Sequence, residues 1–218
     1  MRHLMRWIKC FSLALTATLA SALMAQVQFS EGTHYQRLKN PQTVESGAKI
    51  EVIEFFSYGC PHCRDLEEFL GAWIKRAPVD VSFKRVPALF QVPWVNLAKV
   101  FYTLEALGRE DLSAKAFLAI HTSGVKLNDE KVFFEWAGNN GLDVKKTQEM
   151  WASFAINTKM NRAKMLAINY ELDGVPTLFV DGKFKLQPTT EGQGPVAHKN
   201  APAVLDSLIA KARAERKK

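Results

Sequence analysis

The chain has 218 residues, of which 47% are hydrophobic and 23% are charged. This composition is typical of a globular protein with enough chain for a sizeable core, and the sequence contains no repeat that would indicate a low-complexity protein. The formal net charge is +7. It does not indicate a nucleic-acid partner, because the basic end "KARAERKK" has no interleaved aromatic residues and suits the end of a helix.

The first element is a predicted secretory signal peptide at residues 1–22. Three cations, Arg2, Arg6 and Lys9, precede the apolar run "CFSLALTATLASALMA", and the small residues of "ASA" at 20–22 form a cleavage site. A retained N-terminal anchor is the alternative, although the run is short for a membrane span. Removal of this segment takes away three cations and no acid, which leaves a net charge of +4.

The next pattern is a strand followed by a helix and a second strand. Residues 50–57, "IEVIEFFS", are nearly continuously apolar, as in a strand that is buried on both faces. From Cys60 onward the pattern has the period of a helix, and alternation in residues 79–86, "VDVSFKRV", predicts another strand. The apolar positions of the helix are Leu66, Phe69, Leu70, Trp73 and Ile74.

Residues 93–172 show no convincing strand and are predicted to be helical. Glycine, asparagine and aspartate separate the amphipathic segments. These segments are "VNLAKVFYTLEALG", "EDLSAKAFLAIHTSG", "NDEKVFFEWAGNNG", "DVKKTQEMWASFA" and "NTKMNRAKMLAINYEL". Residues 176–186 then indicate a hairpin around Asp181-Gly182, and residues 201–218 form a closing helix.

This order of elements predicts an α/β protein with a thioredoxin-like fold and an inserted all-helical subdomain. The first strand, helix and strand form a parallel unit with a right-handed crossover. We place the first part of the thioredoxin-like domain at residues 23–92, the helical insertion at 93–165 and the second part at 166–218.

The number and spacing of the cysteines limit the functions that are possible. Cys10 lies in the predicted signal peptide, so the mature chain keeps only Cys60 and Cys63. A structural zinc site needs four ligands, and one cysteine pair with scattered histidines does not supply them. A purely structural disulfide across so short a loop would stabilise the fold little. The histidines outside the predicted signal peptide are His34, His62, His121 and His198.

Redox chemistry explains the pair better than either alternative. If Cys60 begins a helix, unpaired backbone N–H groups and the helix dipole favour its thiolate and lower its pKa. Pro61 suits the first helical turn because it lacks an N–H. Cys63 lies one turn further on and is expected to be less accessible, and His62 between the two can stabilise the Cys60 thiolate.

The motifs "EFFSYGCPHC" and "GVPTLFVDGKF", with the helical insertion between them, resemble the DsbA family of thiol:disulfide interchange proteins of bacterial periplasms. The resemblance spans roughly residues 31–215. It implies a thioredoxin fold with an inserted helical domain, and an oxidase that donates its disulfide to newly exported proteins without a metal or an organic cofactor. It also implies that Val175 and Pro176 form a cis-proline loop against the two sulfurs, where an extended substrate pairs with the backbone.

Glu54 is an acid within the apolar strand, where a carboxylate is costly unless it is paired or protonated. It either forms an ion pair with a basic neighbour, Arg85 or Lys84, or it resembles the family's buried acid, which exchanges protons with the second cysteine. The residues leave both interpretations open.

Two features near the motif affect substrate range. Members of the family commonly have two aromatic residues before the first cysteine, whereas this chain has Tyr58-Gly59. The tryptophans of the helical region are interpreted as core residues, with part of their surface shaping a peptide groove. They are Trp94, Trp136 and Trp151.

The sequence therefore predicts a monomeric periplasmic dithiol oxidase that acts on exported proteins with free cysteines. The resemblance implies that a quinone-coupled membrane oxidase of the DsbB type reoxidises it. A reductase or isomerase on the same fold is the first alternative, and a non-catalytic binding protein or chaperone is the second.

Overall fold

A computed structural model describes residues 29–217, so the predicted signal peptide at residues 1–22 lies outside the described residues. Five strands in this part form one sheet. They are β1 (Gln36–Arg37), β2 (Ile50–Phe56), β3 (Val81–Pro87), β4 (Thr177–Val180) and β5 (Phe184–Leu186). Their order across the sheet is β1-β5-β4-β2-β3.

Helices connect and cover these strands. Helix α1 (Pro61–Arg76) joins β2 to β3, and α7 (Ala201–Arg216) follows β5. Between β3 and β4 lie α2 (Val92–Ala106), α3 (Ser113–His121), α4 (Glu130–Asn139), α5 (Val144–Trp151) and α6 (Phe154–Asn169). No helix within residues 29–217 combines the length and apolar character that a membrane span requires.

The strand pairing confirms the predicted thioredoxin-like organisation. Strand β2 is parallel to β3 and antiparallel to β4, and β4 pairs antiparallel with β5 in the predicted hairpin. At the tip of this hairpin Asp181 and Gly182 have φ angles of 56° and 63°. The predicted division of the chain at residues 23–92, 93–165 and 166–218 stays a prediction. The boundary between the second and the third range falls inside α6.

Two apolar cores lie on the two faces of the sheet. Ile53 and Phe55 of β2 belong to the core shared with the helices of the insertion, whereas Ile50 and Val52 belong to the core shared with α1 and α7. This division follows from the alternation of side chains along a strand. Glu54 lies two residues after Val52 and therefore points to the face that α1 covers.

Three local predictions differ from the structure, and one short strand was not predicted. The second predicted strand begins at Val81 and not at Val79, because Val81 N–H donates to Pro78 in a tight turn and Val79 is 92% exposed. The first predicted strand ends at Phe56, one residue early. The break between the last two helices of the insertion lies at Ser153, whose hydroxyl caps α6. Strand β1 was not predicted, since two residues carry no periodicity.

Candidate active site

Cys60 is the N-cap residue of α1, directly after the turn that leaves β2. Its backbone is extended, with φ −96° and ψ 117°, and Pro61 takes the first helical position. The Cys60 N–H donates to the Ser57 carbonyl at 3.0 Å, and the Gly59 N–H donates to the Ser57 hydroxyl at 3.1 Å. The turn therefore places the Cys60 sulfur at the open N-terminus of the helix, where N–H groups lack helical partners.

The two cysteines have opposite acid strengths. The pKa of Cys60 is lowered to about 6, chiefly because the Cys63 thiol donates a hydrogen bond to its thiolate, and further because the Cys63 and His62 N–H groups do so. The pKa of Cys63 is raised well above its usual value by burial and by the neighbouring Cys60 thiolate. Cys60 is 5% exposed and Cys63 is 0% exposed. Cys60 is therefore the thiol that ionises first and that solvent reaches.

The His62 side chain is exposed and is fixed by the loop after β5. Its Nδ1 lies 3.1 Å from the Thr190 hydroxyl, and its ring centroid lies 6.2 Å from that of buried His198. The positive charge of the imidazole adds to the lowering of the Cys60 pKa, but it ranks below the backbone hydrogen bonds. The structure thus gives His62 two contributions, one from its N–H and one from its ring.

The predicted proline loop lies against Cys60. The Val175–Pro176 peptide bond is cis, as predicted, and the Cys60 thiol donates weakly to the Val175 carbonyl at 3.5 Å. The Thr177 hydroxyl donates to the Gly174 carbonyl at 2.7 Å and so fixes the loop. A cleft of about 260 Å³ opens between this loop, His62 and the segment 187–193.

Glu54 is buried in an ion pair, and its charge interacts with those of both cysteines. Its Oε2 accepts from Arg85 Nε at 2.8 Å, and Arg85 Nη2 also donates to Glu67 at 2.7 Å. Burial raises the pKa of Glu54 to about 7, and the charge of Arg85 only partly offsets that rise. The second candidate partner, Lys84, instead pairs with Glu51 at 3.0 Å.

Tyr58 connects the active-site turn to the helical insertion, and no sequence pattern predicted this contact. Its hydroxyl lies 2.7 Å from the Ser113 hydroxyl, and its carbonyl lies 2.8 Å from His121 Nε2. Thr190, Ser113 and His121 lie far from the cysteine motif in sequence and outside any recognisable pattern. Only the fold brings them to the site.

The sequence of this chain is similar to those of known proteins. A sequence profile of the DSBA-like thioredoxin domain matches residues 75–192. The thiol:disulfide interchange protein DsbA of Bordetella parapertussis is 38% identical over 202 residues, which cover 92% of this chain and 95% of the relative. The chain belongs to the DsbA family. The DsbA of Pseudomonas aeruginosa is also 38% identical, over 95% of this chain and 99% of the relative.

Solved DsbA structures show the same fold. The crystal structure of Pseudomonas aeruginosa DsbA superposes with a TM-score of 0.81 at 37% identity, over 87% of this chain and 97% of that chain. The oxidoreductase NmDsbA1 of Neisseria meningitidis gives a TM-score of 0.75 at 27% identity, over 87% of this chain and 96% of that chain. The protein is a thiol:disulfide oxidoreductase with a thioredoxin fold and a helical insertion.

Proposed function

We propose that the chain is a monomeric periplasmic dithiol oxidase that donates its Cys60–Cys63 disulfide to newly exported proteins. The observation that carries this proposal is the contrast between the two thiols. A stabilised Cys60 thiolate favours the reduced form of the enzyme, so the disulfide is readily passed on.

The first step is attack on the oxidised enzyme. A substrate thiolate attacks the Cys60 sulfur, a substrate–Cys60 disulfide forms, and the Cys60–Cys63 bond breaks. Cys63 leaves with the bonding electron pair. Because burial raises the pKa of the Cys63 thiol, the departing thiolate takes up a proton.

The second step releases the oxidised substrate. The second substrate thiolate attacks the substrate sulfur of the mixed disulfide, which forms the substrate disulfide and expels Cys60 as a thiolate. A thiol of low pKa leaves faster, and the pKa of Cys60 is about 6. Two electrons have then passed from the substrate dithiol to the enzyme.

We assign the proton taken up by Cys63 to Glu54. The pKa of Glu54 is about 7, so near neutral pH the carboxyl is protonated about half of the time. Its charge also contributes to the raised pKa of Cys63, which indicates that the two groups are close enough to interact. Arg85 stabilises the carboxylate that remains after Glu54 has given up its proton, until another proton binds.

The proposed compartment and reoxidant rest on the sequence and on family membership. The signal-like segment at residues 1–22 favours export, and DsbA relatives match nearly the whole chain. Each turnover leaves a dithiol, so a further disulfide donor must take up two electrons. We propose a quinone-coupled membrane oxidase of the DsbB type for that role.

The equilibrium of the Cys60–Cys63 couple with glutathione tests the direction of the reaction. Near neutral pH the lowered Cys60 pKa favours the dithiol by about tenfold over a pair of ordinary thiols, since one pKa unit corresponds to about 1.4 kcal/mol. Alkylation of acid-quenched mixtures, followed by mass spectrometry, gives the fractions of reduced and oxidised protein and so measures this equilibrium. A couple that remains oxidised in glutathione mixtures of thioredoxin-like reducing strength would favour a reductase instead.

A matched assay separates catalysis from binding. The oxidised protein is expected to convert a reduced peptide with two cysteines to its disulfide with a stoichiometry of one, and Cys60→Ser is expected to abolish this conversion. If Cys60→Ser retained the full effect on exported proteins, the binding-protein alternative would replace the oxidase.

A further inference from the structure

The residue before Cys60 has no side chain, and a tryptophan from the insertion occupies the space beside it. A Cβ atom placed on Gly59 would lie 2.7 Å from Nε1 of Trp94 and 3.1 Å from Cδ1 of Leu97. Real Cβ atoms do not approach other heavy atoms as closely as 2.7 Å. The glycine therefore allows the indole of Trp94 to lie directly on the backbone next to the reactive cysteine.

Trp94 is held at this position by the start of α2. Its N–H donates to the Gln91 carbonyl at 2.9 Å, and Pro93 lies in the same first turn. The ring is partly buried and packs against the core on the insertion side of the sheet. The start of the helix thus fixes the backbone of Trp94, and the contacts of the ring with Gly59 and with the core hold the indole in place.

The Trp94 side chain is only partly buried, and its neighbour toward the surface is a second aromatic ring. The ring of Phe90 lies 6.2 Å away, centroid to centroid, and Phe90 is 47% exposed. Trp94 and Phe90 therefore form an aromatic surface that begins at the residue preceding Cys60 and continues away from it.

We propose that Trp94 is a specificity-determining residue, which favours substrates that have an apolar side chain beside the reacting cysteine. This inference rests on the proposed function, because the substrate sulfur must reach Cys60. Once the mixed disulfide forms, the residues next to the substrate cysteine lie within reach of Gly59 and of the indole that covers it. Trp94 then makes the contacts with the substrate that a side chain at position 59 would otherwise make.

The chemistry of the surface favours apolar groups. An aromatic face gains contact energy from apolar and aromatic side chains, whereas a glycine beside the cysteine offers it nothing to pack against. Exported proteins reach the enzyme before they fold, when side chains destined for a core are still exposed. The substrate class is therefore an unfolded segment with a large apolar residue next to cysteine.

Two peptides that differ only beside the cysteine test this inference. Each has two cysteines, and the attacking cysteine is flanked on both sides by phenylalanine in one peptide and by glycine in the other. In Trp94→Ala the ratio of the two kcat/KM values, phenylalanine over glycine, is expected to fall by about three- to tenfold. Trp94→Phe keeps an aromatic ring and is expected to hold the ratio within about twofold of the wild-type value.

The chain offers a control and a second route. Phe154 is 85% exposed on the insertion, and Phe154→Ala is expected to leave the ratio unchanged. If Trp94→Ala does not fold, Gly59→Ala tests the same contact, because its Cβ must displace the indole. An unchanged ratio in Trp94→Ala, or in Gly59→Ala where the first variant fails to fold, would overturn the assignment.

A ratio of rates for one enzyme cancels any change in the chemistry of the cysteines. The glutathione equilibrium of Trp94→Ala is measured alongside and is expected to match the wild type. A reducing wild-type couple would contradict the proposed oxidase. The ratio for the two peptides could then still be measured for the reverse reaction, the reduction of their disulfides. An oxidising couple with no dependence of the ratio on Trp94 would contradict only this inference.

Discussion

At the scale of single residues, two identical side chains three positions apart have opposite properties. Cys60 is the N-cap residue of α1, and hydrogen bonds to its thiolate lower its pKa, whereas Cys63 is inside the first turn and donates one of these bonds. The same hydrogen bond that lowers the pKa of Cys60 raises the pKa of Cys63. The reactive role proposed for Cys60 and the resolving role proposed for Cys63 therefore rest on position on the helix and on burial.

His62 can be separated into its two contributions with a pair of variants. His62→Ala removes the imidazole and keeps the backbone N–H, whereas His62→Pro removes both. We expect the pKa of Cys60 to rise slightly in the first variant and by about one unit in the second, because a charge-assisted hydrogen bond is also lost. The ultraviolet absorbance of the thiolate, followed against pH, measures both values.

A third variant of this series serves as its control. Thr190→Val removes the hydroxyl that lies against the His62 ring and keeps the backbone N–H. It is expected to resemble His62→Ala or the wild type and not His62→Pro. An equal rise in His62→Ala and His62→Pro would show that the backbone N–H contributes nothing.

The sequence anticipated some of these residues and missed others for physical reasons. The cysteine spacing at a helix start was enough to predict which thiol is more acidic. The choice of Arg85 over Lys84 depends on strand register, because Glu54 lies opposite Arg85 while Lys84 lies opposite Ile53 on the other face. Thr190 comes from a loop whose path no local pattern predicts.

At the scale of elements, Asp206 joins the last helix to the helix that bears the cysteines. The indole N–H of Trp73 in α1 donates to Asp206 in α7 at 2.8 Å, and Trp73 is 1% exposed. Asp206 also pairs with Arg76 at 3.2 Å, but both side chains of that pair are largely exposed. The indole bond is therefore the contact that removal of Asp206 would harm most.

We expect Asp206→Ala to lower the free energy of unfolding by about 1–2 kcal/mol, since it leaves the buried indole N–H without an acceptor. Asp206→Asn keeps an acceptor oxygen and is expected to lose less than about 0.5 kcal/mol, the typical value of the exposed ion pair. Denaturant titration of both variants measures these losses. Equal losses would mean that the ion pair matters and the indole bond does not.

Element type was easier to predict than element ends. Periodicity identified the strands β2 to β5 and the helices because each spans several residues with a consistent buried face. Ends depend on single contacts, such as the Ser153 hydroxyl that accepts from the Ile156 N–H and starts α6. A serine inside an amphipathic run is not recognisable as a helix cap from the sequence alone, so the break between the two helices was predicted a few residues further on.

At the scale of the whole molecule, the redox state and the fold are linked through pH. The unfolded chain protonates Cys60 near its ordinary pKa of about 8.5, whereas the folded dithiol holds the thiolate down to a pKa of about 6. The resulting stabilisation of the reduced fold is complete above the unfolded value. It is lost as the pH falls through the folded value.

We expect the free energy of unfolding of the reduced form, relative to the oxidised form, to rise by about 1.4 kcal/mol per pH unit between roughly pH 6.5 and 8. Below the Cys60 pKa the difference should become constant. Glu54, whose raised pKa acts with the opposite sign, is present in both forms and largely cancels. Paired denaturant titrations across this range provide the test, and a difference that does not vary with pH would contradict the lowered Cys60 pKa.

The two outer strands of the sheet bear on aggregation, because an enzyme for unfolded chains meets many segments that can add to an open sheet edge. Strand β1 forms one edge and has only two residues, which is too short to template a partner. Strand β3 forms the other edge, carries adjacent Lys84 and Arg85 at its centre and ends in Pro87. Charge and proline discourage strand addition there. With both edges protected, we expect extended substrates to pair with the backbone of Val175 beside Cys60 and not with the sheet, and we expect the enzyme not to co-precipitate with the proteins that it oxidises.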